Sequence, residues 1–252
     1  MILIADRPAD IAAISQGLPE DGVERKILAI LANSQTTYRY RSQDDLLFEL
    51  ALRREIINAS NALARSGLRF AIFREAECNT DYWELTPEGG FRQRRDVKPS
   101  DAVRDIFTNG RKYATECATG MVIVYLGALL SLMGEEKFNR NFNNLYLMNW
   151  HNLPRNLREI GQMNPEPDYL PGDRRYFANP DVDPVTPEWQ GENVIDLGNG
   201  LYYGHGVGRR TADEIIKALN RQRREGATRE AYLMDSAGRP NFERLAELNR
   251  TA

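Results

Sequence analysis

The chain has 252 residues, of which 42% are hydrophobic and 27% charged, and carries a net charge of -3 at pH 7. That length holds one large domain or two small ones around a well-buried core, and the balance of charge excludes the basic footprint of a nucleic-acid binder or of a protein held on an anionic membrane. Two cysteines, Cys78 and Cys117, and two histidines, His151 and His205, make neither a disulfide framework nor a metal-ligand spacing, so no metal or cofactor is expected.

Met1-Ile-Leu-Ile-Ala-Asp-Arg7 lacks a basic stretch ahead of a sustained apolar run, so no secretory signal and a cytoplasmic synthesis are expected. Residues 1–40 read as a loose amphipathic lead-in with a short helix over 22–33. Ser42-Gln-Asp-Asp45 signals the start of a long helix with Leu46, Leu47, Leu50, Ile57 and Leu63 on its apolar side, stopped by Gly67. Residues 68–73 read as a strand, 82–85 and 91–94 as a hairpin, and a helix follows Pro99 and ends at Asn109-Gly110. Cys117 opens the longest apolar helix, ended by Gly134. Its length of about 17 residues and its Thr119, Gly120, Gly127 and Ser131 fit a buried core helix, not a membrane span.

A further helix is expected over 135–144 and an apolar strand over 145–148. Residues 152–187 hold seven prolines and read as an irregular rim over the site, with a short strand at 175–177. Residues 191–197 and 201–206 form a hairpin about Gly198-Asn-Gly200. Thr211-Ala-Asp-Glu214 is a capping box for a helix reaching Arg224 or Glu225, followed by a short strand at 232–234 and a helix from Pro240. Helices first and strands after a central cysteine helix predict an α+β fold.

A cysteine at a helix start has unpaired backbone N–H groups and a positive dipole end beside it, which favour thiolate and can hold an oxyanion. The competing reading is a small buried hydrophobe. His205 lies between glycines in Tyr203-Gly204-His205-Gly206, which would open its ring to backbone and substrate, while His151 beside Trp150 stays open as an alternative. If the hairpin turns at 198–200, residues near 192 pair with residues near 206, and Glu192 becomes a neighbour of His205.

Glu116-Cys117-Ala-Thr119, Gly134-x-x-x-Phe138-Asn139, Trp150-His151, Trp189-x-Gly191-Glu192-Asn193 and Gly204-His205-Gly206-x-Gly208 resemble the spore-coat transglutaminases of spore-forming bacteria. Phe48-Glu49-Leu50, Asn79-Thr80-x-Tyr82-Trp83 and Gly226-Ala227 extend the resemblance over most of 40–235. It implies a single domain over 1–252 with a papain-like or cysteine-amidase-like core, the cysteine helix packed on an antiparallel sheet. It implies a calcium-independent enzyme that joins glutamine to lysine side chains of proteins, those of the spore coat, by way of a thioester.

Carried onto the matching positions, the nucleophile is Cys117 and its acid–base partners are Glu192, His205 and Glu116. Glu192 is the expected main base, with His205 orienting it or sharing its role and Glu116 a partial substitute. Trp150 and Trp189 are candidate walls of a passage that grips the lysine stem and keeps water out. A cysteine amidase or peptidase using the same thiol, or a coat scaffold without activity, are the alternatives. Only five of the 33 basic residues are lysines, a bias that fits codon usage, heat adaptation or avoidance of self-labelling.

Overall fold

The computed structural model of the chain describes residues 1–251. Residues 1–40 carry more regular structure than expected. Strands β1 (Ile2–Ile4), β2 (Arg7–Pro8) and β3 (Tyr38–Tyr40) form a sheet in the order β2-β1-β3, with helices α1 (Ile11–Gln16) and α2 (Val23–Asn33) in the crossover. Each strand is too short for alternation to register in the sequence. Ile2, Ile14, Ile27 and Leu31 close onto Leu46 and Leu50 of α3 (Gln43–Ser66) as a core of their own. The Ser42 hydroxyl accepts the Asp45 amide at 3.2 Å, and Gly67 ends α3 at φ 87°, as their signals required.

Of the strand expected over 68–73 only β4 (Arg69–Phe70) pairs, because the chain turns into a single 3-10 turn at Phe73–Glu75. The hairpin of β5 (Trp83–Leu85) and β6 (Phe91–Gln93) forms as expected. Helix α4 (Pro99–Thr108) has no cap of its own; Asn139 supplies one, its Oδ1 accepting the Ser100 amide at 2.8 Å. Strand β7 (Ala114–Thr115) lies parallel to β4 and delivers the chain to α5 (Cys117–Met133).

Helix α5 is buried nearly all round, which explains a sequence without a polar face. Helix α3 packs along it, α4 and α6 (Glu135–Asn141) flank it, and β8 (Tyr146–Leu147) adds to the β5-β6 hairpin. No helix among the described residues is long and apolar enough to cross a membrane.

The main sheet is antiparallel in the order β12-β11-β10-β9-β13, from β9 (Arg174–Ala178), β10 (Gly191–Gly198), β11 (Leu201–Gly204), β12 (Gly208–Thr211) and β13 (Tyr232–Leu233). Side chains alternate across it. Ile195 and Tyr203 enter the core with α5, whereas Val194 and Tyr202 meet Ile215 and Leu219 of α7 (Ala212–Asn220). The expected α+β class, with the cysteine helix on an antiparallel sheet, is what forms.

Boundaries differ in this half of the chain as well. The proline-rich stretch contains β9, a full sheet member between β10 and β13 rather than a rim alone. Helix α7 stops at Asn220, not Arg224, because 222–224 peels away: the Arg224 amide donates to Asp181 O and the Asp183 amide to Gln222 O. Helix α8 (Phe242–Arg250) closes the chain over α3. A buried guanidinium pins α3 to the sheet: Arg53 holds Glu49 and Asp173 at 2.8 Å each, and Arg239 holds Asp173 at 2.7 Å.

Candidate active site

Cys117 is the first residue of α5 and lines a cavity of about 980 Å³. Glu116, the residue before it, is the helix cap: its carboxylate accepts the amides of Ala118 at 2.6 Å and Thr119 at 2.7 Å. This corrects the expectation drawn from helix position. The amides expected to stabilise a thiolate or hold an oxyanion are already bonded to a carboxylate, whose charge offsets the helix dipole. Burial pushes the Cys117 thiol up to about 12, the charges of Glu192 and Glu116 add to that, and hydrogen bonds from Asn193 oppose it. The resting site therefore holds a thiol, and a base must remove its proton.

Glu192 supplies a buried carboxyl at the hairpin root. Val194 pairs with Gly204, so Glu192 falls opposite Gly206 as the turn position predicted, and Glu192 Oε1 accepts the Gly206 amide at 2.9 Å. Burial raises this carboxyl to about 8, the Gly206 amide pulls it down, and Glu116 raises it. A carboxyl there is a proton acceptor matched to near-neutral pH.

His205 sits on the first turn of α5 but does not face Glu192. Its Nε2 lies 3.1 Å from Arg69 O, and since a carbonyl only accepts, Nε2 carries the hydrogen. Burial lowers the ring to about 4, while hydrogen bonds to the carbonyls of Arg69 and Thr115 pull the other way, so it is neutral at pH 7. The glycines beside it were expected to expose its ring. Instead, Gly204 and Gly206 make room for the Glu192 carboxyl. The glycine that admits His205 is Gly120 on α5, where a β-carbon would stand 2.8 Å from His205 Cβ. His151 is exposed and does not line this cavity.

Trp150 lines the cavity. The Thr119 hydroxyl accepts the Asn149 amide at 2.8 Å, and Asn149 Oδ1 accepts the Trp150 amide at 2.6 Å, so the cysteine motif itself positions this wall. Trp189 lies one layer back. It packs with the Phe177 and Val194 cluster, and Phe70, 6.4 Å away centre to centre, takes the wall position.

Sequence reasoning left Phe70, Arg174 and Tyr176 unassigned, and Asn193 without a role. Adjacency to Glu192 was the available signal for Asn193. Arg174 had none, because only the fold reveals that it is buried. Among the described residues no group of three His, Cys, Asp or Glu is placed to hold a metal ion.

The site thus combines a helix-start thiol, a buried carboxyl, a side-chain amide aimed at the sulfur and aromatic walls, the kinds of group that acyl transfer through sulfur requires. The family model described as protein-glutamine gamma-glutamyltransferase matches residues 1–249. The chain is 47% identical over 212 residues to a protein-glutamine gamma-glutamyltransferase of Bacillus mycoides (strain KBAB4), covering 84% of this chain and 76% of that protein. It is likewise 47% identical over 216 residues to the Bacillus cereus (strain 03BB102) enzyme of the same name, covering 86% and 77%. A solved structure, a transglutaminase from Geobacillus stearothermophilus without its C-terminal extension, superposes with a TM-score of 0.77 at 48% identity, covering 82% of this chain and 98% of that one. The chain belongs to the protein-glutamine gamma-glutamyltransferase family, the transglutaminases.

Proposed function

We propose that the transglutaminase activity of this chain runs through a thioester on Cys117, with Glu192 as the principal proton acceptor and donor. The Cys117 sulfur attacks the γ-carbon of a peptidyl glutamine as Glu192 takes the thiol proton. The same carboxyl then returns a proton to the departing nitrogen, so that ammonia leaves and a thioester remains. A lysine amine attacks next, loses its proton to Glu192, and the C–S bond breaks to restore the thiol and leave an isopeptide. The supporting observation is that the Glu192 charge bears on the Cys117 thiol in one buried site, where burial raises both groups and the Glu116 charge raises each further.

Glu116 acts as cap and electrostatic neighbour, and the neutral His205 fixes the hairpin on the helix start. Trp150, Phe70 and Tyr176 provide the apolar surface that favours a lysine stem over water. Calcium independence is part of the proposal and rests on the motif resemblance. The spore-coat role, with glutamine- and lysine-bearing coat proteins as partners, rests on the motif resemblance.

The test is time-resolved amine incorporation into a glutamine-donor peptide in EDTA, with mass spectrometry of the enzyme. Wild type forms a Cys117 adduct, Cys117→Ala is inactive, and Glu192→Gln loses roughly 10²-fold or more. Release of glutamate without amine incorporation would instead mark an amidase.

A further inference from the structure

We infer that Asn193 donates to the oxyanion on the substrate carboxamide, and that Arg174 is the positioning residue that aims it. The inference deepens the thioester reading and depends on it. Attack forms a C–S bond and moves the carbonyl π pair onto oxygen, and that oxygen needs donors. On the first turn of α5 the amides of Ala118 and Thr119 are held by the Glu116 carboxylate and that of Gly120 by Glu116 O, which leaves the Cys117 amide alone. A second donor must come from elsewhere. The Asn193 Nδ2 group points at the Cys117 sulfur from 3.6 Å, within the cavity the substrate enters.

What fixes that amide is Arg174. Its guanidinium donates to Asn193 Oδ1 at 2.7 Å, so the oxygen is committed and the NH₂ must face the sulfur. Two more donations, to Ile160 O at 3.0 Å and Gln162 O at 3.1 Å, hold the fork, and the Trp150 ring lies 4.4 Å from its central carbon. Arg174 is 2% exposed, yet among the described residues no carboxylate pairs with it, whereas Arg53 pairs with Glu49 and Asp173 and Arg239 with Glu166 and Asp173. An unpaired buried guanidinium is expensive to keep for structure alone. Here it places positive charge behind the side-chain amide that bonds the sulfur, in a site that also holds the carboxyls of Glu116 and Glu192. A polarised carboxamide is a stronger donor to developing negative charge.

The experiment compares two reactions of Cys117. Acylation by a glutamine-donor peptide builds an oxyanion; alkylation by iodoacetamide, at an sp³ carbon, does not. In Asn193→Ala, single-turnover acylation is expected to fall about 10²–10³-fold with KM nearly unchanged, while alkylation falls less than about tenfold. Arg174→Lys keeps a charge but loses the fork, and its acylation is expected to fall by about 10-fold or more with alkylation again nearly preserved. Asn193→Asp leaves Arg174 a partner while removing the donor, so it acylates as poorly as Asn193→Ala even if the alanine variant fails to fold. Acylation within about threefold of wild type in the asparagine variants, or alkylation falling as far as acylation, overturns the role of Asn193. Wild-type acylation in Arg174→Lys overturns that of Arg174. A wild-type enzyme that gives no Cys117 adduct defeats the thioester reading itself, a visibly different result.

Discussion

Gly204 and Glu192 share one volume: a β-carbon on Gly204 would stand 2.5 Å from Glu192 Oε1 and 2.9 Å from Glu192 Cγ. The hairpin register puts that glycine opposite Val194, two residues along β10 from Glu192. Gly204→Ala should therefore displace the proposed base without touching the thiol. The expected loss in amine incorporation is about 10²-fold, the usual effect of a misplaced catalytic group. The stability cost should be about 1–3 kcal/mol, typical of overpacking. Steady-state kinetics beside thermal unfolding separate the two, and a fully active alanine variant would remove Glu192 from its role.

Glu116 makes a second prediction, because it acts on the helix and on the thiol in opposite senses. Glu116→Ala loses the cap of α5 and should destabilise the fold by about 1–2 kcal/mol. It also removes a like charge that raises Cys117 and frees the amides of Ala118 and Thr119 to face the sulfur. Alkylation of Cys117 should then reach half its maximal rate at a lower pH than in wild type. A midpoint that stays put or rises would show that Glu116 does not bear on the thiol.

The motif residues divide by how far their partners lie in sequence. The cysteine helix and the 191–206 hairpin were legible because apolar length and a glycine turn are local signals. The register followed from the turn, and it brought Glu192 to Gly206. The direction of His205 was not legible, because it depends on Gly120 and Arg69, remote in sequence and brought together only by packing of α5 on the sheet. Other motif residues turn out to be pins. Asn79 donates to Asp105, Asn139 caps α4, and Glu49 pairs with Arg53. The arginine bias gains partial sense from Arg53 and Arg174, whose forks each serve several acceptors that a lysine could not reach together.

Burial holds the Glu192 carboxyl up at about 8 and the Cys117 thiol up at about 12, so the carboxyl loses its proton first. The productive form has lost one proton and retains the other. Acylation by a donor peptide, followed as ammonia release so that no lysine titration intrudes, should rise with pH to a midpoint near 8. Glu192→Gln removes the low-lying member, and the midpoint should move upward toward that of the buried thiol. A rising limb near 6.5 that disappears in His205→Gln would instead make the histidine the base.

His205 and Glu192 pull the pH dependence of stability in opposite directions. His205 falls from 6.5 to about 4 on folding, so between those values the unfolded chain binds more protons and stability rises with pH. This contribution is fully present above 6.5 and is lost as pH falls through 4. Glu192 rises from 4.5 to about 8, so the native state binds more protons in that window and stability falls as pH rises through 8. Each fully developed slope is about 1.4 kcal/mol per pH unit, and from 4.5 to 6.5 they oppose one another. Urea unfolding of wild type should accordingly show only a shallow contribution from this pair there. Glu192→Gln should unmask stability that climbs with pH up to 6.5, and His205→Gln stability that declines toward 8. Parallel pH profiles in all three proteins would mean that burial does not hold these two groups in their neutral forms.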